Sequence, residues 1–239
     1  MTFNIAGKVA LVTGANRGIG KAIVESFLAH GAAKVYLAVR DISSTAELEA
    51  KYQDKVQPVA LDLSSQQAVS AMAEQAADVD VVVNNAGVAI QTSPLADNIE
   101  QSLQLQMDVN VYGLIRIAKA FAPQLEARNG ALVQLNSVAS LRTNPAYAAY
   151  CTSKAASYAI TQGLRKEWLD KVTVVSVHPG PIATDMAVDL GLKSDNGPEL
   201  VAEEIVTAMA AGQFHLYPDD FARKLGSAYQ SYATSVVEA

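Results

Sequence analysis

The chain is poor in cysteine, in positive charge and in charged residues generally, and each scarcity excludes something. Cys151 is the one cysteine among 239 residues, so no internal disulfide can form, which fits a reducing compartment. Lys and Arg number 18 against 24 Asp and Glu, a formal net charge of -6. The basic footprint of a nucleic-acid-binding domain is missing, so nucleic acid is not an expected partner. Charged residues make up 18% of the chain, against roughly 25% in an average domain, and apolar residues make up 50%. That is the composition of a core-rich globular chain. No apolar run approaches the roughly 18 residues of a membrane span, so no membrane partner is expected. The opening residues, MTFNIAGKVALVTG, lack the charged start of a secretory signal, and the closing VVEA matches no retention, peroxisomal or prenylation signal. The expected location is cytoplasmic. A chain of this length buries about 70–75% of its unfolded surface, so it needs no metal as a staple, and no metal site is expected.

What is present is an alternation. Strand-like runs occur at Val9–Thr13, Lys34–Val39, Val56–Leu61, Val79–Asn84, Ala131–Asn136 and Val172–Val177. They are nearly continuously apolar, as strands buried on both faces must be. Helical stretches lie between them at Ile19–His30, Thr45–Lys51, Gln66–Ala76, Ile99–Arg128 and Ala148–Leu169. This order predicts an α/β fold: a doubly wound, Rossmann-like parallel sheet with helices on both faces, in a single domain over residues 1–239. The longest irregular stretch, Pro179–Pro198, is expected to be a functional loop. A helix near Glu199–Ala211, a strand near Phe214–Tyr217 and a Tyr-bearing tail with a helix as its candidate structure complete the chain.

The first strand runs into Thr13-Gly14-Ala15-Asn16-Arg17-Gly18-Ile19-Gly20. Glycines in a strand-to-helix turn allow positive φ and let a phosphate approach peptide N–H groups, to which the helix N-terminus adds its dipole. The spacing GxxxGxG differs from the common GxGxxG, and no Gly-Lys-Ser/Thr ends it, so it is not a P-loop. Dinucleotide folds place the residue that reads the adenosine ribose about 20 positions further on. Arg40 stands there, and Arg17 is a second cation within the turn. Together they point to a 2′-phosphate, hence NADP(H), unless both are simply solvated. Asp41 argues the other way, but it precedes Ile42-Ser43-Ser44 and is suited to capping the next helix.

The run ALVQLNS delivers Ser137 to the carboxyl end of a strand, the edge where open α/β sheets bind ligands. Thirteen residues later comes Tyr150-Cys151-Thr152-Ser153-Lys154. Tyr150 and Lys154 share one helix face, and a lysine beside a phenol is expected to lower its pKa and make it a usable acid or base. A YxxxK pair alone is common on helix surfaces. A serine at a strand end, the pair downstream and the phosphate turn upstream form a more specific set.

These residues resemble the short-chain dehydrogenase/reductase family, in its compact single-domain branch of NADPH-dependent carbonyl reductases and alcohol dehydrogenases. The resemblance covers roughly residues 7–185. It rests on TGANRGIG at 13–20, Asp62, NNAG at 84–87, Asn110, Ser137, YCTSK at 150–154 and HPGPIAT at 178–184. It implies cofactor contacts from Gly14, Asn16, Arg17, Gly18, Ile19 and Gly20, from Arg40, and from Asp62 and Leu63. Further contacts would come from Asn85, Ala86 and Gly87, from Tyr150 and Lys154, and from Pro179, Gly180, Ile182 and Thr184. It implies a catalytic set of Asn110, Ser137, Tyr150 and Lys154. Ser137 and Tyr150 would bond a carbonyl oxygen, Tyr150 would donate the proton, Lys154 would lower its pKa and bond the nicotinamide ribose, and Asn110 would distort its helix and support a proton relay. His178 reads as structural, and Cys151 as packing on another helix face.

The resemblance also implies a homodimer or homotetramer built on the two long helices. Val88, Ile90, Ala139, Leu141, Pro181, Met186 and Leu190 are the candidate substrate pocket, with Arg142 the one nearby cation. A mostly apolar pocket selects a hydrophobic ketone or aldehyde. The alternatives are a 3-ketoacyl thioester reductase, whose acidic carrier would dock on Arg116, Lys119, Arg128, Arg165 and Lys166, and a non-catalytic NADP(H)-sensing regulator. The segment FHLYPDDF at 214–221 lacks the Asp-Gly-Gly with which ketoacyl reductases of the family usually close.

Overall fold

The computed structural model describes residues 1–238. Seven strands form one sheet: β1 (Val9–Thr13), β2 (Lys34–Val39), β3 (Val56–Ala60), β4 (Val81–Asn84), β5 (Ala131–Leu135), β6 (Thr173–Val177) and β7 (His215–Leu216). Their order is β3-β2-β1-β4-β5-β6-β7, and every pairing is parallel. Val12 lies opposite Leu37 on one side and Val83 on the other, and Val83 continues to Val133 and Val175. Every residue of β4, β5 and β6 is buried, which is why these strands read as nearly continuous apolar runs, with Asn84, Gln134, Thr173 and Ser176 the buried polar exceptions.

The two sheet faces feed two cores. Val12, Val83, Val133 and Val175 pack with Ile23 and Phe27 of α1 (Gly18–Ala29) and with Ile205 and Met209 of α8 (Pro198–Ala211). Their neighbours Leu11, Val82, Leu132 and Val174 face Met72 of α3 (Gln66–Gln75), Ile117 and Phe121 of α5 (Gly113–Arg128), and Tyr158 of α6 (Ala148–Glu167). The order of strand addition reverses between β1 and β4, so a crevice opens at their carboxyl ends. α2 (Ala46–Tyr52) lies within the β2–β3 connection.

One expectation needs correction and two gain detail. The stretch Ile99–Arg128 is not one helix: α4 (Ile99–Met107) and α5 are joined by a π-helical turn at Asp108–Tyr112, which contains Asn110. The loop 179–198 contains a short helix, α7 (Asp185–Asp189), whose first turn is capped by the Thr184 hydroxyl. The tail is α9 (Asp220–Tyr232) followed by a second π-helical turn at Ala233–Val237. Buried Asp219 caps α9 through Ala222 N at 2.9 Å, and its other oxygen accepts Gly180 N at 2.7 Å. One carboxylate thus fastens the tail helix to the loop after β6.

Gly226 sits where α9 crosses Tyr217, and a Cβ there would overlap the tyrosine ring. In an open helix Gly→Ala gains up to about 1 kcal/mol. Overpacking of this kind costs about 1–3 kcal/mol. Gly226→Ala is expected to lower the unfolding free energy by about 1–2 kcal/mol in urea titration, and a stabilised variant would contradict this packing.

Candidate active site

The turn after β1 is shaped by its glycines. Gly14 and Gly18 have φ of 66° and 53°, the left-handed region. Gly20 plays a different part from the expected one: a Cβ there would collide with the Gly14 carbonyl, and the residue does not line the cleft. Its smallness lets α1 pack against the turn. Thr13, given no role by the sequence reading, ties this turn to the segment after β4. Its hydroxyl accepts the N–H groups of Asn85 and Ala86, each at 2.9 Å, and Asn85 Nδ2 donates to its carbonyl at 2.9 Å.

Arg17 and Arg40 both line the same cleft. Arg17 pairs with Asp185 of α7 at 3.0 Å, and both side chains are more than half exposed. Asp41 is engaged elsewhere, accepting Ser43 N at 3.0 Å and Ser43 Oγ at 2.7 Å as the cap of a 3-10 turn. Asp62 makes the same turn with Ser64, and these bonds, aided by the charges of Arg40 and Arg116, hold its carboxyl below the usual range.

Asn110 is buried within its π-helical turn. Its Oδ1 accepts Val88 N at 2.9 Å, and its Nδ2 donates to Val88 O at 2.9 Å and to Ser153 Oγ at 3.0 Å. One side chain joins the segment after β4 to helix α6. Gly87 leaves the room for this, since a Cβ there would stand 3.0 Å from Asn110 Oδ1.

Ser137 follows β5 and opens a 3-10 turn over Val138–Ser140. Its hydroxyl accepts Ala139 N at 3.1 Å. Tyr150 and Lys154 project from the first turns of α6. The expected lowering of the Tyr150 pKa by Lys154 is not what the geometry produces. Lys154 Nζ donates to the Leu135 carbonyl at 2.7 Å and lies 5.9 Å from the phenol ring centroid. Burial pushes Tyr150 up to about 12, with the Ser137 hydroxyl acting in the opposite sense. Burial also pushes Lys154 down to about 8. The phenol is protonated at neutral pH.

The cleft measures about 1190 Å³. It is lined by Gly14, Asn16, Arg17, Gly18, Ile19, Arg40, Asp62, Leu63, Asn85, Ala86, Gly87, Ser137, Tyr150, Lys154, Pro179, Gly180, Ile182 and Thr184. Of the expected pocket residues, Val88, Ala139, Arg142, Pro181, Met186 and Leu190 line it too. Ile90 and Leu141 do not: Ile90 N is held by Gln106 Oε1 at 3.1 Å, and Leu141 packs against the second core. Cys151 contributes to the wall, contrary to its expected placement. Sequence reasoning missed Tyr147, whose hydroxyl donates to Leu190 O at 2.8 Å, and Phe221 and Leu225 of α9. The signal for α9 was there: Phe221 and Leu225 stand four apart on one helix face. Among the described residues, no group of three or more His, Cys, Asp or Glu is placed to hold a metal, and no helix is long and apolar enough to cross a membrane.

Residues 8–195 match the family model for short chain dehydrogenases. The chain is 33% identical over 193 residues to an NADP-dependent 3-hydroxy acid dehydrogenase of Schizosaccharomyces pombe, covering 76% of this chain and 74% of the relative. It is 30% identical over 214 residues to the oxidoreductase UcpA of Escherichia coli, covering 86% and 81%. Among solved structures, a short chain dehydrogenase from Burkholderia cenocepacia in complex with NADP matches with a TM-score of 0.89 at 29% identity, over 97% of this chain and 98% of the other.

The buried His178 beside this site has a consequence for acid stability. Burial, the largest influence, and the neighbouring His215 push its pKa from 6.5 down to about 3. Unfolded chains therefore bind the proton first as pH falls, so the stability present above pH 6.5 is lost on the way toward pH 3. Between pH 6.5 and about pH 5 His178 is expected to account for a loss of about 1.5 kcal/mol, added to that from His215. His178→Asn should flatten the slope of unfolding free energy against pH in that window, and an unchanged slope would contradict a neutral buried imidazole.

Proposed function

The chain belongs to the short-chain dehydrogenase family, and from that premise we propose that it is an NADPH-dependent oxidoreductase. It reduces the carbonyl of a ketone or aldehyde and, in reverse, oxidises the matching secondary alcohol. The observation that carries this reading is that Ser137, Tyr150 and Lys154 line one cleft with the glycine turn.

The residues suit the cofactor. Positive φ at Gly14 and Gly18 opens the turn, and α1 begins there with its N-terminal dipole. Arg17 and Arg40 are the cations for a 2′-phosphate, with Arg17 exchanging Asp185 for it. The backbone from Pro179 to Thr184 forms the opposite wall. When bound, NADPH supplies the hydride. Tyr150, kept protonated by burial, donates its proton to the carbonyl oxygen as that oxygen gains charge. Ser137 donates a second hydrogen bond to the same oxygen. Lys154 in its charged form favours the phenolate left behind. Both protons and the oxygen of the Asn110 amide are engaged, so its contribution is the placement of Val88 and α6 rather than a side-chain relay.

The substrate side of the cleft is mostly apolar, with Val88, Ala139, Met186, Leu190, Phe221 and Leu225, which suits a hydrophobic carbonyl compound. A second reading is favoured by Arg142, which lines the cleft with no side-chain partner among the described residues. A carboxylate-bearing substrate would pair with it, and the Schizosaccharomyces pombe relative is named for 3-hydroxy acids. An acyl carrier is less well served. Arg116, Arg128 and Arg165 pair with Asp108, Asp80 and Glu238, which takes three of the five expected docking cations. A pure redox sensor would have no use for the Tyr150–Lys154 pair. Half-exposed Leu105 and Tyr112 on α4 and the π-helical turn support assembly into a homodimer or homotetramer.

Tyr150→Phe is expected to lower kcat for ketone reduction by about 10²–10⁴-fold while NADPH binding, read by fluorescence titration, stays nearly intact. A variant retaining more than about a tenth of kcat would remove Tyr150 from the acid role. Charge-assisted bonds of about 1.5–3 kcal/mol give NADPH a preference over NADH of roughly 10–100-fold in kcat/KM. Arg40→Asp should erase that preference, and equal kcat/KM for both cofactors in the unmutated enzyme would sink the two-arginine reading.

A further inference from the structure

We infer that His178 is a positioning residue for Ser137, acting through a directed chain of hydrogen bonds that ends on the Ser137 carbonyl. The inference rests on the reading that the Ser137 hydroxyl bonds the substrate oxygen. His178 is fully buried and does not line the cleft, so it is not an acid or base for substrate. It nevertheless occupies the seam where the ends of β5 and β6 meet.

The bonding fixes its tautomer. His178 Nδ1 faces the Ser137 carbonyl, which can only accept, so Nδ1 carries the hydrogen. Nε2 is then the acceptor, and the Ser176 hydroxyl 2.8 Å away donates to it. Ser176 Oγ in turn accepts Asn136 Nδ2 at 2.9 Å. Nδ1 lies 3.2 Å from the Ser137 carbonyl oxygen and 2.9 Å from Ser140 Oγ, whose own hydroxyl donates to that same carbonyl. The chain therefore runs Asn136 to Ser176 to His178 to Ser137. It begins and ends on adjacent residues and closes a loop around the backbone of the candidate catalytic serine.

The backbone joins the same clamp. Asn136 N donates to Val177 O at 2.8 Å, and Val138 N donates to Pro179 O at 3.0 Å, one bond on each side of His178. The imidazole plane is held by Tyr158, edge-on with centroids 4.7 Å apart, and by Tyr217 at 5.4 Å. A pKa near 3 keeps the ring in the single-donor form this chain requires.

The need for such a clamp follows from where Ser137 sits. It lies outside β5, at the head of a 3-10 turn of three residues, with no sheet pairing of its own. Its hydroxyl meets a substrate atom only if the peptide that follows it is fixed. A misplacement of about 1 Å at a reacting group can cost up to about 10²-fold.

A double-mutant cycle on the full chain tests this, with kcat and KM for a neutral ketone at saturating NADPH and NADPH affinity by fluorescence. Ser137→Ala is expected to lower kcat about 10²-fold or more, as loss of one donor to a developing oxyanion does. His178→Leu should lower kcat by about 10-fold or more with NADPH affinity unchanged. In the Ser137→Ala background the same change should cost less than about 2-fold, because the group it positions is gone. His178→Asn keeps an N–H near the Nδ1 place and should recover most of kcat. Should His178→Leu fail to fold, Ser176→Ala carries the test: it deletes one hydroxyl, frees the ring, and its loss in kcat should likewise vanish without Ser137. Full kcat in His178→Leu, losses that multiply in the double variant, or Asn no better than Leu would overturn the inference. Undiminished kcat in Ser137→Ala would instead overturn the proposed chemistry itself.

Discussion

Asn110 is the point on which the geometry of the cleft depends. A buried amide in mid-helix must be satisfied, and this one reaches both backbone groups of Val88 and the Ser153 hydroxyl. The π-helical turn at 108–112 opens the helix to allow this. Three elements are thereby set at fixed spacing: the segment after β4, the helix pair α4–α5, and α6 with Tyr150 and Lys154. Truncating the amide would leave the part-buried Val88 N–H and carbonyl without their partner.

The parallel sheet delivers the other parts. With every strand pointing one way, β1, β4, β5 and β6 release their following loops at one edge. The glycine turn, the 85–87 segment, the candidate serine and the 179–184 segment all come from those loops. Burial then sets the protonation states. It raises Tyr150 and lowers Lys154 and His178, in each case favouring the neutral form. A protonated phenol lining the cleft suits the proposed proton donation to a carbonyl oxygen. The lysine, displaced to about 8, is close to the pH at which it can respond to charge beside it.

Sheet and helix alternation were legible because doubly buried strands are continuous apolar runs, and the strand limits fall within about two residues of the expected ones. The motif residues were legible because glycine turns, a strand-end serine and a YxxxK pair each have a local signature. What was not legible depends on distant partners. Arg17 reads as a free cation, yet Asp185, 168 residues away, binds it. Lys154 reads as a neighbour of the phenol, yet its ammonium is turned to Leu135. Ile90 and Leu141 have the right composition for the pocket but are drawn to Gln106 and to the core. The π-helical turn left no break in the apolar pattern of 99–128, and only the resemblance pointed to a distortion at Asn110, where it lies.

The tail helix α9 places Phe221 and Leu225 in the cleft wall, and the Asp219 carboxylate fastens it to Gly180 across a 39-residue separation. The cleft wall is therefore built from both the family-matched region and the residues beyond it. The central claim is hydride transfer to a carbonyl carbon in this cleft. It is tested most directly by turnover of a ketone with NADPH deuterated at the transferable position of the nicotinamide. Mass spectrometry of the alcohol should find one deuterium on the carbinol carbon, retained in ordinary water. An alcohol without deuterium, or NADPH unconsumed across ketones, aldehydes and keto acids, would contradict it.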